Sequence, residues 1–315
     1  MPTTHPERIV IALGGNAILT DDPSAEAQIR ALQRTCAHIV PLVREGKEIV
    51  ITHGNGPQVG NLLLQQETGS SARSPAMPLD TCVAMTQGSI GYWTVLALKT
   101  ELKRAGLDHR VDVLMTTTSV AADDPAFRHP TKPIGPFLTE EDAKAQAAID
   151  GCTYIEDAGR GWRKVVPSPQ PLDVPGSACV PALVKRGDIV VCVGGGGIPV
   201  VETEDGFRGV EGVIDKDLTA EKLAEIVDAD NLVICTSVDN VCIDFNRPTQ
   251  RALGEVSVPE LERYIDEGQF PQGSMLPKVE ACIRFVESGA GRAATITSLG
   301  RLRDLSQGAG TRIVR

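Results

Sequence analysis

The sequence predicts an α/β enzyme in which a parallel sheet carries helices on both faces. Strand and helix patterns alternate along the chain, which is typical of parallel sheets covered by helices. Three runs of β-branched residues end directly in glycine-rich turns, at Gly14-Gly15-Asn16, Gly54-Asn55-Gly56 and residues 194–197. Such turns expose clustered backbone N–H groups, which suit phosphate or another anion. We therefore expect an active site along a row of strand ends that handles phosphorylated compounds.

Bulk properties exclude several classes of partner. The chain has 315 residues, a net charge of −10 and 3% aromatic residues, which argues against nucleic acid and anionic membranes. No stretch approaches the ~18 apolar residues of a membrane helix. An acidic protein that binds phosphate must therefore concentrate its lysines locally.

Cysteine usage indicates a reducing compartment. The eight cysteines form no C-x-x-C pair, and Cys192, Cys235 and Cys282 lie inside apolar runs, so buried reduced thiols are expected. The histidines are dispersed and fit no zinc-ligand spacing. Because the N-terminus also lacks a signal-peptide pattern, we expect a cytoplasmic protein.

The elements of the first third follow from periodicity. After a strand at residues 9–13, apolar residues recur at three- and four-residue steps from Ile29 to Val43, which predicts a helix ending near Gly46. A strand at 49–52, a helix at 57–68, a long helix at 82–104 and a strand at 111–116 come next. Because the long helix is apolar on most faces, we expect it to be buried, with a subunit contact as one reason.

Residues 121–175 differ in composition from the rest of the chain. Prolines, glycines, charges of both signs and Trp162 predict an insertion or lid with its own hairpin. Regular alternation then resumes, with strands predicted at 189–193, 233–236 and 294–297 and helices at 219–228, 259–267 and 277–288.

The standard nucleotide-binding motifs are absent from the sequence. No G-x-x-x-x-G-K-[ST] occurs, the glycines at 54–60 miss the dinucleotide pattern, and the protein-kinase loops are missing. Phosphate must therefore be bound by residues outside these motifs.

Lysines near predicted helix starts are the candidates for phosphate chemistry. Lys216 lies between two aspartates, and Asp217 is expected to cap the following helix and orient Lys216. Lys278 follows Pro277, which suits the first position of a helix. A cation in that turn opposes the helix dipole at a cost of ~0.3–1 kcal/mol unless an anion binds there.

A third candidate, Lys132, is held by flanking prolines in the presumed lid. Each of the three lysines also has an ordinary interpretation as a solvated turn, surface or linker residue, and the residues alone leave that choice open. Arg160, Arg163 and Lys164 are less specific and are consistent with the solvated face of the lid hairpin.

Seven motifs extend nearly from end to end of the chain: ALGGNA (12–17), THGNGPQVG (52–60), KPIGP (132–136), GWRKVVPSP (161–169), GGGGIPV (194–200), VIDKD (213–217) and GSMLPKV (273–279). In this order they resemble the carbamate kinases of the amino-acid kinase superfamily. KPIGP and GWRKVVPSP are particular to carbamate kinases and are not expected in acetylglutamate or uridylate kinases.

The resemblance implies reversible phosphoryl transfer between ATP and carbamate, giving ADP and carbamoyl phosphate. The family usually runs towards ATP, in arginine catabolism through the deiminase route. A single domain over residues 1–315 is implied, a three-layer αβα sandwich with a mostly parallel sheet of about eight strands and a protruding lid subdomain at 121–175. A homodimer and Mg²⁺ with ATP or ADP as substrate are also implied, while the protein ligands of Mg²⁺ cannot be read from the sequence.

Site residues are carried over by position from the resemblance. Lys132 is expected to reach over carbamoyl phosphate from the lid, and Lys216 and Lys278 are expected to neutralise phosphate charge. Asp217 would orient the lysines. The residues expected to bind carbamate and the transferring phosphoryl group are Gly14, Gly15, Asn16, Gly54, Asn55 and Gly56. Those assigned to the nucleotide, besides Lys216 and Lys278, are Gly195, Gly196, Ser237 and Asp239.

One departure from the family lies in residues 237–244, at the expected nucleotide-binding edge. Family members often carry a tyrosine there, and this chain has none in that stretch. No residue is therefore assigned to stack on adenine.

Two alternatives keep the same fold. One is a kinase for another acceptor, such as N-acetylglutamate, UMP or an amino acid, against which the lid motifs weigh. The other is a catalytically inactive metabolite sensor, in which loss of one or more lysines is expected. Lys132, Lys216 and Lys278 are all present.

Overall fold

Helices and strands alternate along the chain as predicted. The structure is a computed structural model that describes residues 6–18, 22–157 and 159–315. The helices in these residues are α1 (Ala25–Arg44), α2 (Gly56–Thr68), α3 (Leu79–Arg104), α4 (Glu140–Asp150), α5 (Val180–Lys185), α6 (Lys216–Ile226), α7 (Val258–Asp266) and α8 (Leu276–Glu287). The strands are β1 (Arg8–Leu13), β2 (Glu48–His53), β3 (Val111–Val113), β4 (Thr117–Val120), β5 (Lys132–Leu138), β6 (Tyr154–Glu156), β7 (Trp162–Val166), β8 (Pro171–Asp173), β9 (Ile189–Val191), β10 (Ile198–Thr203), β11 (Gly206–Gly209), β12 (Asn231–Thr236), β13 (Cys242–Ile243), β14 (Arg251–Ala252), β15 (Glu255–Ser257), β16 (Ala293–Ser298) and β17 (Thr311–Val314).

Eight strands of the described residues form the main sheet, in the order β15-β17-β16-β12-β1-β2-β9-β3. The six strands from β16 to β3 are parallel, and Ile9 of β1 lies opposite both Ile49 and Asn231. At the other edge β17 runs antiparallel to β16 and parallel to β15. The predicted mostly parallel sheet of about eight strands is confirmed.

Alternation along β1 places hydrophobic residues on both faces of the sheet. Ile9 and Ile11 pack in the cluster that includes Leu32 of α1 and Leu98 of α3. Val10 lies on the opposite face, in the cluster that contains residues of α6 and α8. This arrangement is the predicted three-layer αβα sandwich, which buries apolar surface on each side of the sheet.

The described residues also form three smaller sheets. One has the order β11-β10-β4-β8, one is the pair β13-β14, and the third, which we call the small sheet, has the order β5-β7-β6. The small sheet contains the hairpin β6–β7 and lies within the segment that was expected to form a lid. It packs against α2, where a Cβ added to Gly60 would lie 1.9 Å from the backbone nitrogen of Gly135.

Some predicted bounds were wrong. The strand expected at 111–116 ends at Val113, because the chain leaves the edge of the main sheet and Thr117 pairs with β10 in another sheet. The helix expected at 82–104 begins earlier, at Leu79. The cysteines are free. Cys36, Cys82, Cys192, Cys235 and Cys282 are buried, as expected, whereas Cys152 and Cys242 are half-buried and Cys179 is exposed. Among the described residues, no helix combines the length and apolarity needed to cross a membrane.

Candidate active site

The site lies where parallel strands of the main sheet end side by side. The turns after β12, β1, β2 and β9 follow one another along this edge because the strands are neighbours in that order. Three adjoining cavities open there, which we call the first, middle and outer cavities. Their volumes are about 200, 140 and 210 Å³. Lys278 lines all three, and Lys216 lines the first and the middle.

The start of α6 places an aspartate on each side of Lys216. Asp215 is the N-cap, and its side chain accepts a hydrogen bond of 2.9 Å from the backbone N–H of Asp217. The expectation that Asp217 caps the helix was therefore wrong. Asp215 has extended backbone angles just outside the helix, so its carboxylate can fold back onto the first turn. Asp217 is already helical, and its side chain points elsewhere.

Asp217 binds two lysines with its two carboxylate oxygens. Lys216 Nζ contacts Oδ1, and Lys278 Nζ lies 3.0 Å from Oδ2. Asp217 is 3% exposed. Burial by itself would raise the pKa of this carboxyl, but Lys216 and Lys278 outweigh that effect and lower it. The carboxylate therefore stays charged and contacts one ammonium group with each oxygen.

The charge state of Lys278 follows from the same contact. Burial would lower the pKa of its ammonium group, yet Asp217 raises it above the usual value. Lys278 lies in the first turn of α8, as expected, although Pro277 is the second helical residue and not the first. The cation therefore persists at a helix start, where an anionic ligand would offset its repulsion by the helix dipole.

Lys132 reaches the same site from the small sheet. Its Nζ lies 2.6 Å from Oδ2 of Asp215, the cap of α6. Burial would raise the pKa of Asp215, but Lys132 and then Lys216 lower it further than burial raises it. Three lysines from separate parts of the chain thus converge on two aspartates. Asp215 was not singled out from the sequence, although the D-K-D spacing contained it.

The 54–56 turn borders the first cavity. A Cβ at Gly54 would lie 3.2 Å from Cδ of Lys216, so glycine gives the lysine stem room to pass. The Asn55 side chain is buried and donates a hydrogen bond of 2.8 Å to Thr86, which leaves its backbone to line the cavity. Gly56 also lines the first cavity.

The turn after β1 lies between the turns that follow β12 and β2. Gly14 and Gly15 line the middle cavity, and Gly15 also lines the first. The side chain of Asn16, which the sequence assigned to substrate binding, lies outside the part of the chain that the structure describes.

Gly195 and Gly196, assigned to the nucleotide from the sequence, lie at the other end of the site from Ser237. Gly195 lines the first cavity beside Asn55. Gly196 is buried, and its carbonyl accepts hydrogen bonds from Thr118 and Thr219. The reason is the strand order, since β1 and β2 separate β9 from β12.

The outer cavity is lined by several apolar side chains that the sequence did not single out: Phe245, Phe270 and Met275. Ser237 lines it as well, together with Lys278. Asp239 is not among the lining residues; its carboxylate accepts a hydrogen bond from Ser298. Residues 237–245 and 269–275 are distant in sequence and come together only in the folded chain. No local sequence pattern therefore predicts their contacts.

Arg163 has different surroundings from those that the sequence predicted. It was expected on a solvated face, yet its side chain is 10% exposed, whereas that of the neighbouring Arg160 is 61% exposed. Nε of Arg163 donates to the carbonyl of Gly135, and Nη1 donates to Asp157. Burial lowers the pKa of the Arg163 guanidinium, and Asp157 opposes that effect.

The site offers few ligands for a resident metal. In residues 6–18, 22–157 and 159–315, no three His, Cys, Asp or Glu side chains are grouped to hold an ion. Asp215 and Asp217 already bind lysines. A Mg²⁺ ion at this site would therefore take its ligands mainly from nucleotide phosphates and water.

Comparisons with known proteins agree with this geometry. The model of the Amino acid kinase family matches residues 7–298. The chain belongs to this family. "Carbamate kinase 1" of Enterococcus faecium is 55% identical over 300 residues, which cover 95% of this chain and 96% of that protein. "Carbamate kinase 2" of Enterococcus faecalis (strain ATCC 700802 / V583) is 52% identical over 302 residues, covering 96% and 97%.

Solved structures support the same assignment. Carbamate kinase from Giardia lamblia bound to AMP-PNP has a TM-score of 0.88 and 39% identity, covering 98% of both chains. The resemblance to carbamate kinases that the seven motifs indicated is confirmed. UMP kinase from Bacillus anthracis, at 14% identity and a TM-score of 0.52, shares the fold alone.

Proposed function

We propose that the chain transfers a phosphoryl group reversibly between ATP and carbamate, forming ADP and carbamoyl phosphate. The observation that carries this proposal is the pair of lysines, Lys216 and Lys278, on one buried carboxylate where the cavities meet. The similarity to carbamate kinases over nearly the whole chain supports the choice of substrates.

The outer cavity suits the nucleoside. Its volume is about 210 Å³, and Phe270 and Met275 give it apolar walls on which a planar base can pack. Phosphates attached to that nucleoside would extend past Ser237 towards Lys278 and the middle cavity. We assign the nucleotide to this end of the site, and the acceptor to the first cavity with Gly195.

The first cavity suits carbamate and the group to be transferred. Helix α2 begins in the 54–56 turn, and the N–H groups and dipole of a helix N-terminus favour an anion. Lys132 closes the same cavity from the small sheet. A carboxylate or phosphate group there would meet positive charge from two directions.

Transfer would proceed by direct in-line displacement. In the ATP-forming direction an oxygen of the ADP β-phosphate attacks phosphorus, and the bond from phosphorus to the carbamate oxygen breaks. Carbamate leaves with the electron pair, and no proton needs to move. Lys216, at the junction of the first and middle cavities, stabilises charge on the transferring group. Mg²⁺ carried by the nucleotide would neutralise further phosphate charge.

A covalent phosphoenzyme is not required. Cys235 is the thiol that lines the middle cavity, and burial raises its pKa to about 12. It is therefore a neutral thiol near pH 7 and a poor nucleophile. Positioning and charge neutralisation are sufficient for this class of reaction.

The biological setting is proposed from the family resemblance. We place the enzyme in the cytoplasm and in arginine catabolism through the deiminase route, running towards ATP. Cells that lack the chain should then form less ATP from citrulline, inorganic phosphate and ADP in a crude extract, and adding the purified protein should restore the yield. Unchanged ATP formation in the deletion extract would reject this setting.

A homodimer is proposed from an exposed apolar face. Met85, Tyr92 and Leu96 lie along one side of α3, and Met115 follows the edge strand β3. Tyr92 is 56% exposed and Met115 62%. Val113 of β3 lies against Gly91, which joins helix and strand into one continuous surface. A second copy would cover both the apolar side chains and the unpaired strand edge.

A coupled assay tests the reaction. ATP formed from ADP, Mg²⁺ and carbamoyl phosphate should appear rapidly with the wild type, and Lys216→Ala should lower the turnover number by roughly 10²–10³-fold. Lys222→Ala, which removes a partly exposed lysine of the same helix, is the matched control and should retain activity. No ATP from a wild-type protein that binds ADP would reject carbamate as the acceptor and favour the other acceptors or the sensor.

A further inference from the structure

A buried guanidinium lies behind the 54–56 turn. Arg163 is on β7, which pairs with the strand that carries Lys132. Its guanidinium is held on three sides: Nε lies 3.1 Å from the carbonyl oxygen of Gly135, Nη1 lies 3.0 Å from Asp157, and the carbon of the group is 5.0 Å from the centre of the Phe137 ring. The orientation of the group is therefore determined by the small sheet.

One nitrogen of this guanidinium lacks a hydrogen-bond partner among the residues that the structure describes. Nη2 of Arg163 is buried and donates to no acceptor in residues 6–18, 22–157 and 159–315. Leaving a buried charged donor without a hydrogen bond costs free energy, so such a group calls for an explanation. Structural anchoring of the small sheet accounts for Nε and Nη1, and not for Nη2.

Nη2 lies close to the start of α2. A Cβ added to Gly56 would lie 3.9 Å from it. Gly56 is the first residue of the 13-residue helix α2 and lines the first cavity. Because glycine has no side chain, Arg163 approaches the N-terminal turn of the helix here, next to the carbonyl oxygen of Pro133, which lies 3.6 Å from the same Cβ position.

The positive charge of Arg163 is only partly balanced. Asp157 is its carboxylate partner, but Asp157 also binds Arg160 at 3.2 Å. Two guanidinium groups thus share one carboxylate, which leaves a net positive charge beside a helix N-terminus that is itself positive. An anion bound in the 54–56 turn would offset both charges.

We infer that Arg163 is a positioning residue for the acceptor: it strengthens binding of the carboxylate or phosphate group of the substrate in the 54–56 turn. It acts from behind the turn, through its charge and through the position of Gly56, and it does not touch the substrate. This inference rests on the proposed function, because it places carbamate or carbamoyl phosphate in the first cavity.

Separate kinetic constants for the two substrates test the inference. Arg163→Met removes the charge and keeps a long side chain, and it should raise the KM for carbamoyl phosphate by roughly 10–100-fold. The KM for ADP should stay near the wild-type value, because the nucleotide binds at the other end of the site. Arg163→Lys restores the charge and should recover most of the loss.

Arg160→Met is the matched control. Arg160 binds the same Asp157 and lies 4.8 Å from the centre of the same Phe137 ring, but it is exposed. A merely structural role of the arginine cluster would affect both variants, whereas the inference expects Arg160→Met to keep the wild-type KM for carbamoyl phosphate.

A second readout does not depend on turnover. Inorganic phosphate should raise the thermal unfolding midpoint of the wild type and of Arg163→Lys more than that of Arg163→Met. Equal shifts in all three proteins, or an equal rise of both KM values in Arg163→Met, would overturn the inference. A wild type that forms no ATP would reject the proposed reaction, while the phosphate-induced shifts would still decide the role of Arg163.

Discussion

Asp217 is the residue on which the arrangement of positive charge depends. Each of its carboxylate oxygens binds one lysine, and the residue is almost completely buried. Removing one partner from a buried ion pair leaves the other charges uncompensated. Lys216 and Lys278 would then lose the common anchor that sets the distance between them.

Asp217→Asn should therefore lower the turnover number by roughly 10²–10³-fold, similar to the loss of a preorganised electrostatic group. The measurement is the coupled ATP-forming assay with saturating substrates. Asp239→Asn is the comparison, because this carboxylate faces Ser298 and does not line the outer cavity. Activity of Asp217→Asn close to that of the wild type would contradict the role of the shared carboxylate.

Glu221 is a second buried carboxyl group with a shifted pKa. It is 1% exposed, and its Oε1 has no hydrogen-bond partner among the described residues. Burial, and then the neighbouring Glu225, raise its pKa to about 8. The folded protein therefore holds a proton that the unfolded chain releases at a lower pH.

Stability should consequently fall as pH rises from about 4.5 to 8, since the folded state binds more protons than the unfolded state in this range. The contribution of one such group to the slope approaches about 1.4 kcal/mol per pH unit. Glu221→Gln should flatten the dependence of the unfolding free energy on pH, as measured by urea unfolding across this range. Glu225→Gln should flatten it less, and parallel curves for wild type and Glu221→Gln would contradict the assignment.

At the scale of elements, the contact between α2 and the small sheet places Lys132. Gly60 of α2 meets Gly135 of β5 backbone to backbone. The same helix begins in the 54–56 turn, and the same strand begins at Lys132. The close approach of two glycines thus sets the distance between two parts of the first cavity.

Gly60→Ala should destabilise the fold by about 1–3 kcal/mol through overpacking, despite the better helix propensity of alanine. It should also raise the KM for carbamoyl phosphate, because β5 must shift together with Lys132. Chemical unfolding and initial rates measure the two effects. Gly254→Ala, where nothing lies within 4 Å of the added Cβ, is the control, and wild-type values for Gly60→Ala would contradict the role of the contact.

At the scale of the whole molecule, the exposed face of α3 predicts association. Tyr92→Arg would place one positive charge from each protomer in the proposed interface and so oppose association. Light scattering coupled to gel filtration should show a dimer for the wild type and a monomer for Tyr92→Arg. Ile149→Arg changes a more exposed apolar residue outside this face and should remain dimeric. A monomeric wild type would reject the proposed dimer.

Local patterns predicted most of the elements and several site residues. The turns after β1 and β2 border the cavities, and Lys132, Lys216 and Lys278 meet around Asp215 and Asp217. The elements were predictable because glycine turns, helix starts and apolar periodicity are encoded within about ten neighbouring residues, while the roles of the site residues stay predictions. The true N-cap, Asp215, was missed because two aspartates flank Lys216 and only backbone angles distinguish their roles.

The sequence by itself determined the class of the protein: alternating β-branched runs and amphipathic stretches specify a helix-covered parallel sheet, and the motif order specifies the family. Tertiary structure decided which strand ends are neighbours, and with them the placement of Gly195 beside Asn55 instead of Ser237. It also decided the burial of Arg163 and the partners of each lysine. The physical reason is that sheet order and close backbone approach join residues distant along the chain, which local periodicity cannot report.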